Sequence, residues 1–105
     1  MLTKEQLEKN LEVPQGRVEV ILDTDTFNEA DDQFALAYLL LSGEKLNTVG
    51  NCAAPFFNAN STSPADGMEK SYGEILHILG LMHREELIPN VYRGACGYLP
   101  DEKTP

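Results

Sequence analysis

Residues 17–24 read RVEVILDT and residues 31–42 read DDQFALAYLLLS, and these two stretches decide the fold. The first is a nearly continuous run of β-branched and aliphatic residues, which predicts a strand buried on both faces, as in a parallel sheet. The second carries apolar residues around most of a helical circumference, so it predicts a largely buried helix that ends before Gly43. Residues 46–52 (LNTVGNC) predict a second strand. A strand, a helix and a strand in this order form a βαβ unit, which crosses over right-handed and pairs its strands in parallel.

The flanking segments extend this unit on both sides. Residues 3–6 (TKEQ) form a capping box that begins a short N-terminal helix, and Ser63-Pro64 begins a longer helix over residues 63–79. A third short strand is predicted at residues 90–94. The expected fold class is therefore α/β, a three-layer sandwich with a mainly parallel, Rossmann-like sheet, present as an N-terminal βαβ-containing fragment. The single, incomplete domain has a helix and turn at 1–16, a βαβαβ core at 17–95 and a loop at 96–105.

The composition argues against several classes of protein. The 8 Lys and Arg against 17 Asp and Glu give a net charge of −9, which disfavours binding to nucleic acid or to an anionic membrane. Cys52 and Cys96 are too few for a disulfide scaffold and the N-terminus has no secretory signal, so a cytoplasmic protein with free thiols is expected. Because three strands leave open edges, we expect the sheet to be completed in a larger domain or, as a homo-oligomer, against a copy of itself.

Four aspartates, Asp23, Asp25, Asp31 and Asp32, lie within ten residues at the junction of the first strand and its helix. Carboxylates in such a place are costly unless their charge is offset, and a helix N-terminus cannot serve all four. A bound divalent cation can, and a set of oxygen donors favours Ca²⁺, with Mg²⁺ second. Asn51 ends the next strand at the same edge of a parallel sheet, where ligands bind. The alternative interpretation is a helix cap followed by a solvated acidic loop.

Residues 20–40, VILDTDTFNEADDQFALAYLL, resemble the N-terminal signature of nucleoside hydrolases of the inosine–uridine-preferring type. The stretches GNCAAPFFN (50–58), SPADGMEKSYGEIL (63–76) and PNVYRGA (89–95) resemble the continuation of that family, so the resemblance covers residues 17–95. It implies an enzyme of purine and pyrimidine salvage. Such an enzyme hydrolyses the N-glycosidic bond of ribonucleosides to free base and ribose, with a water activated by one Ca²⁺.

The resemblance also implies a role for each candidate residue. Asp25 matches the carboxylate that binds calcium and deprotonates the attacking water, and Asp32 matches a second calcium ligand. Asp31 matches the residue that contacts the ribose hydroxyls, and Asn51 an amide near the ribose and the metal. Asp23 matches a supporting carboxylate behind the metal ligands. These residue types suit the chemistry, because negative charge around an oxocarbenium-like sugar stabilises it.

The chain departs from the family pattern in two ways. The loop at residues 26–30 is two residues longer and lacks the usual Pro-Gly, so it is expected either to shift Asp31 and Asp32 or to bring Asn28 or Glu29 into the site. Family members are also several times longer, and their remaining calcium ligands and the group that protonates the leaving base come from the C-terminal part. The 105-residue chain alone is therefore expected to bind metal weakly and to turn over little or no substrate.

Two other functions fit the same residues. A phosphohydrolase of the haloacid-dehalogenase type also ends its first strand in Asp-x-Asp, with Asp23 as nucleophile and Asp25 as acid and base. The chain is alternatively a non-catalytic, ion-stabilised α/β module. Phe56 and Phe57 are expected either to stack on a base or sugar or to anchor their loop. The remaining reactive residues are expected to be structural, namely His77, His83, a core thiol at Cys52 and an exposed thiol at Cys96.

Overall fold

A computed structural model describes residues 1–101. Its elements are α1 (Lys4–Asn10), β1 (Val18–Thr24), α2 (Ala30–Leu41), β2 (Leu46–Ala53), α3 (Pro64–Leu81), a 3₁₀ helix (Glu85–Asn90) and β3 (Val91–Arg93). The three strands form one sheet in the order β1-β2-β3, and both neighbouring pairs are parallel. The predicted α/β class with a parallel sheet is therefore confirmed. The end of the predicted terminal loop, residues 102–105, lies outside the described residues.

A single hydrophobic core lies between the sheet and the two longer helices. Ala53 of β2 and Val91 of β3 pack against Leu36 of α2 and Ile75 of α3, and all four side chains are buried. The strands are added in one direction along the chain, so right-handed crossovers bring α2 and α3 to the same face of the sheet. The rest of the core cluster follows the same pattern: Leu40, Met68, Ile78 and Leu79.

The prediction that β1 is buried on both faces is wrong within residues 1–101. Its burial alternates, with Leu22 half-buried on the helix side and Ile21 66% exposed on the other. Tyr92, which is 50% exposed, belongs to the same open face, because a Cβ built on Gly50 would lie 3.6 Å from its ring and 3.8 Å from Ile21. The physical reason is that α2 and α3 cover only one face of the sheet.

α2 is likewise less buried than its composition predicts. Leu36, Leu39 and Leu40 are buried, as expected for the side that packs on the sheet and on α3. The outward side carries an exposed apolar stripe at the i, i+4, i+7 spacing of one helical face: Phe34, Tyr38 and Leu41. Apolar residues around most of the helical circumference predicted a largely buried helix, whereas α2 is packed along one side only.

Strand β2 contains a β-bulge opposite the middle of β1. Val20 pairs with Thr48, but Ile21 pairs with Gly50, so Val49 has no partner in β1. Side chains alternate between the two faces of a sheet, so one extra residue exchanges the faces of all residues beyond it. The bulge thereby brings Asn51 to the helix side, where it is 1% exposed.

The helix starts follow the predicted capping signals. Thr3 and Gln6 form the capping box of α1, although every residue of that helix is exposed. The Ser63 hydroxyl accepts a hydrogen bond from the Asp66 N–H at 3.0 Å, with Pro64 in the first turn of α3. None of the helices within residues 1–101 combines the length and the apolar character needed to cross a membrane.

Candidate functional site

The candidate site lies at the edge of the sheet where the parallel strands end. Thr24, Ala53 and Arg93 are aligned in register at the carboxyl ends of β1, β2 and β3. The β1–α2 loop, residues 25–29, leaves this edge and returns to the first turn of α2. Both the strand end and the helix N-terminus of the predicted site are therefore brought to the same place.

Asp25 is the first residue after β1 and is half-buried. Its Oδ2 accepts a hydrogen bond from the side-chain Nδ2 of Asn28 at 2.7 Å. The Asn28 backbone N–H also donates to the Asp25 carbonyl at 2.7 Å, which closes a tight turn. Of the two outcomes expected for this loop, the structure shows Asn28 brought onto the carboxylate of Asp25 as an amide donor.

Asp32 in the first turn of α2 is held by the end of the strand. The hydroxyl of Thr24, which is 4% exposed, donates to Asp32 Oδ2 at 2.5 Å. Thr26, fully buried, donates to the Thr24 hydroxyl at 3.4 Å. In the described part of the chain no hydrogen bond reaches Oδ1 of either Asp25 or Asp32, so each carboxylate has one oxygen held by a neutral donor and one left open.

The other predicted site residues have different surroundings. Asn51 is buried, and its Oδ1 has no hydrogen-bond partner in residues 1–101, which is unusual for a buried polar atom. Asp31 is exposed beside Asp32 in the first turn of α2. Asp23 is exposed on the open face of the sheet and takes no part in the hydrogen bonds of Asp25 and Asp32.

Residues far along the chain support the β1–α2 loop, and sequence reasoning did not find them. Asn58 Nδ2 donates to Asn28 Oδ1, and Asn60 Nδ2 donates to the Asn28 carbonyl at 3.2 Å. The Phe27 N–H donates to the hydroxyl of Ser71, a fully buried residue of α3, at 3.3 Å. The available signal was weak: an Asn-Ala-Asn triplet in a polar loop after β2, and a serine on the buried side of a helix.

The loop that carries these asparagines is fastened to the start of α3. Lys70 donates to the Asn60 carbonyl at 2.9 Å and forms an ion pair with Asp66 at 2.9 Å. The Thr62 N–H lowers the pKa of Asp66 below its ordinary value, and Lys70 lowers it further. The stabilisation from this carboxylate is present above its ordinary pKa and is lost as the pH falls through the lowered one.

Phe56 anchors the loop after β2, which is one of its two expected roles. It is 3% exposed, and its carbonyl accepts a hydrogen bond from the Ser61 hydroxyl at 3.0 Å. Phe57 is exposed. His77 is an exposed residue on α3 with Nδ1 3.5 Å from Glu74, and Cys52 is half-buried, outside the core cluster.

The donors at the site suit a hard cation, although residues 1–101 contain no group of three or more His, Cys, Asp and Glu side chains placed to hold a metal ion. Asp25 and Asp32 each keep an open carboxylate oxygen, and Asn51 adds a buried amide oxygen without a partner. Oxygen ligands of this kind are those that Ca²⁺ prefers, and waters and ligand oxygens commonly complete its shell. Within residues 1–101 the chain therefore supplies oxygen donors of suitable chemistry, but not a group of three acidic, His or Cys side chains placed around one point.

Comparison with known proteins gives no further guide, because no family model, curated protein or solved structure matches the chain.

Proposed function

We propose that this chain takes part in the hydrolysis of the N-glycosidic bond of ribonucleosides, with Asp25 and Asp32 as ligands of a Ca²⁺ ion. The observation that supports the proposal is the state of these two carboxylates at the carboxyl edge of the sheet. Each has one oxygen held by a side chain of the β1–α2 segment and one oxygen open. Hydrogen bonds that orient a metal ligand in this way are typical of metal sites in proteins.

An ion held by Asp25 and Asp32 would supply a water of lowered pKa and would help to orient the ribose hydroxyls. Asp25 is proposed to hold the ion through Oδ1, because Oδ2 is occupied by Asn28, and its carboxylate would also take up the proton of the attacking water. Thr24 fixes the rotamer of Asp32 at the N-terminus of α2. The two side chains thus hold negative charge at the place where positive charge develops on the sugar.

Asp31 and Asn51 are the proposed contacts to the nucleoside. Asp31 is exposed beside Asp32, so its carboxylate is available to accept hydrogen bonds from ribose hydroxyls. The buried, unpartnered Oδ1 of Asn51 gains a partner when a polar ligand or ion is bound, which removes the cost of leaving it unpaired. Asp23 is proposed only as a supporting charge. A cytoplasmic role in nucleoside salvage, as a homo-oligomer, completes the proposal.

Calcium titration tests the metal site directly. Adding Ca²⁺ at millimolar concentration is expected to raise the melting temperature, because an ion that binds only the folded state stabilises it; a concentration one hundred times Kd contributes about 2.7 kcal/mol. Asp25→Asn and Asp32→Asn are expected to abolish the rise in melting temperature, which circular dichroism measures. Each substitution keeps the size of the side chain and removes the charge.

The matched control is Glu44→Gln, the same chemical change at an exposed residue just before β2, at the opposite edge of the sheet. It should respond to calcium as the unaltered chain does. A calcium response that survives both aspartate substitutions, or no response in the unaltered chain, contradicts the proposed metal site. Because the chain alone is expected to turn over little or no substrate, any release of free base from a nucleoside should be slow, should require Ca²⁺ and should be lost in Asp25→Asn.

A further inference from the structure

Three asparagines form a continuous chain of hydrogen bonds that ends on the Asp25 carboxylate, and we call it the amide chain. The Asn60 backbone N–H donates to Asn58 Oδ1 at 2.8 Å, Asn58 Nδ2 donates to Asn28 Oδ1, and Asn28 Nδ2 donates to Asp25 Oδ2 at 2.7 Å. The amide chain links the loop after β2 to the loop after β1, and its members Asn58 and Asn28 are 30 residues apart in sequence. It therefore joins two strand ends at the candidate site.

The direction of every bond in the amide chain is fixed by its two ends. An ionised carboxylate only accepts hydrogen bonds, so Asn28 must turn its NH₂ group toward Asp25 and its oxygen toward Asn58. A backbone N–H only donates, so Asn58 must turn its oxygen toward Asn60. Rotating either side-chain amide by half a turn would set oxygen against oxygen or NH₂ against NH₂. One arrangement satisfies all members, which makes the orientation of Asn28 specific.

The main chain of Asn28 is held as well. Its N–H donates to the Asp25 carbonyl at 2.7 Å, and its carbonyl accepts from Asn60 Nδ2 at 3.2 Å. Asn60 is in turn bonded through its own carbonyl to Lys70 on α3. Because the backbone and both side-chain amide atoms of Asn28 are hydrogen-bonded, the residue loses little further conformational entropy when it holds Asp25 in place.

We propose that Asn28 is a positioning residue for Asp25: it occupies Oδ2 of the carboxylate, so that Oδ1 is the oxygen presented to a cation or to a water molecule. Asn58 and Asn60 act one step further out by holding Asn28 in the donating orientation. The consequence for hydrolysis rests on the proposed function, but the positioning itself rests only on the contacts of the amide chain.

The test compares Asn28→Ala, Asn58→Ala and a control, Asn10→Ala, in the full chain. Asn10 is the last residue of α1 and is exposed, so its replacement removes the same amide group away from the candidate site. Asn58→Ala keeps both partners of the Asn28–Asp25 hydrogen bond and removes only the side chain that holds Asn28 in its donating orientation. Circular dichroism shows whether each variant folds, and Asn58→Ala still tests the proposal if Asn28→Ala does not fold.

The first measurement needs no metal. In the unaltered chain, nuclear magnetic resonance should show slower solvent exchange for the side-chain amide protons of Asn28 than for those of Asn10. In both Asn28→Ala and Asn58→Ala, the carboxyl carbon of Asp25 should shift more than that of any other aspartate at neutral pH, and it should not move in Asn10→Ala. Fast exchange at Asn28, or an Asp25 signal insensitive to both variants, overturns the proposal.

The second measurement uses Tb³⁺ as a luminescent substitute for Ca²⁺. Loss of an outer hydrogen bond to a metal ligand typically weakens binding about 10- to 100-fold, which is the range expected for Asn28→Ala, with a smaller loss in Asn58→Ala. Equal affinity for Tb³⁺ in all variants overturns the proposal.

The two measurements separate the failure of this inference from the failure of the proposed function. If the unaltered chain does not bind Tb³⁺ or Ca²⁺, the proposed metal site is wrong, and the resonance experiment alone decides whether Asn28 positions Asp25. If the unaltered chain binds the ion and Asn28→Ala binds it equally well, the metal site stands and the positioning role is refuted.

Discussion

Gly67→Ala is expected to destabilise the fold by about 2–3 kcal/mol. The steric clash of the new methyl group with rigid backbone outweighs the stabilisation from the higher helix propensity of alanine. A Cβ at Gly67 would lie 2.1 Å from the carbonyl oxygen of Phe56. That oxygen already accepts the Ser61 hydroxyl, and Phe56 itself is buried. The side chain therefore has no room unless α3 and the loop after β2 move apart. Urea unfolding followed by circular dichroism measures the loss.

Gly73→Ala is the matched control in the same helix. No atom lies within 4 Å of a Cβ built there, so the substitution is expected to stabilise the chain by about 0.5–1 kcal/mol through helix propensity alone. The two substitutions should thus have opposite signs. If Gly67→Ala is as well tolerated as Gly73→Ala, the close approach of α3 to Phe56 is wrong.

Leu36→Ala is expected to cost about 3 kcal/mol, within the range for a buried leucine that leaves a cavity. Leu36 is fully buried on α2 and belongs to the core cluster with Ala53 and Ile75. It lies one turn after Asp32, so a loosened α2 should also weaken the calcium response. The free energy of unfolding, extrapolated from urea titration at equal protein concentration, measures the effect.

Phe34→Ala provides the comparison on the exposed side of α2. Phe34 is 74% exposed, so its truncation is expected to change the free energy of unfolding by less than about 0.5 kcal/mol. A loss as large as that of Leu36→Ala would contradict one-sided packing of α2 and would mean that the exposed apolar stripe is covered in solution.

The elements were predictable where the signal is local. The Ser63-Pro64 start of α3 and the alternation of strand, helix and strand are set by residues close together in sequence, and the structure agrees with them. Burial was less predictable, because the exposure of Ile21 and Phe34 depends on what packs against the sheet and the helix. Apolar residues show which faces of a strand or helix can be buried, but they do not show whether another element packs on those faces.

In the candidate site, too, the features set by nearby residues were predictable and those set by distant residues were not. Asp25 and Asp32 were identified from their position at a strand end and a helix start, and the structure brings both to one edge. The support of Asp25 by Asn28 was anticipated only as one outcome of a longer loop. Its continuation to Asn58 was not predictable, because a contact between two asparagines 30 residues apart leaves no periodic pattern in the sequence.

The extra residue Val49 also determines which side chains of β2 face the helices. Before it, the even-numbered Leu46 and Thr48 are paired with helix-side residues of β1, and after it the odd-numbered Asn51 and Ala53 are. Deleting one residue there would exchange inner and outer positions for the rest of the strand, sending Asn51 to solvent and Cys52 toward α3. The one extra residue thus determines which side chains at the carboxyl end of β2 face the helices and which face the open side of the sheet.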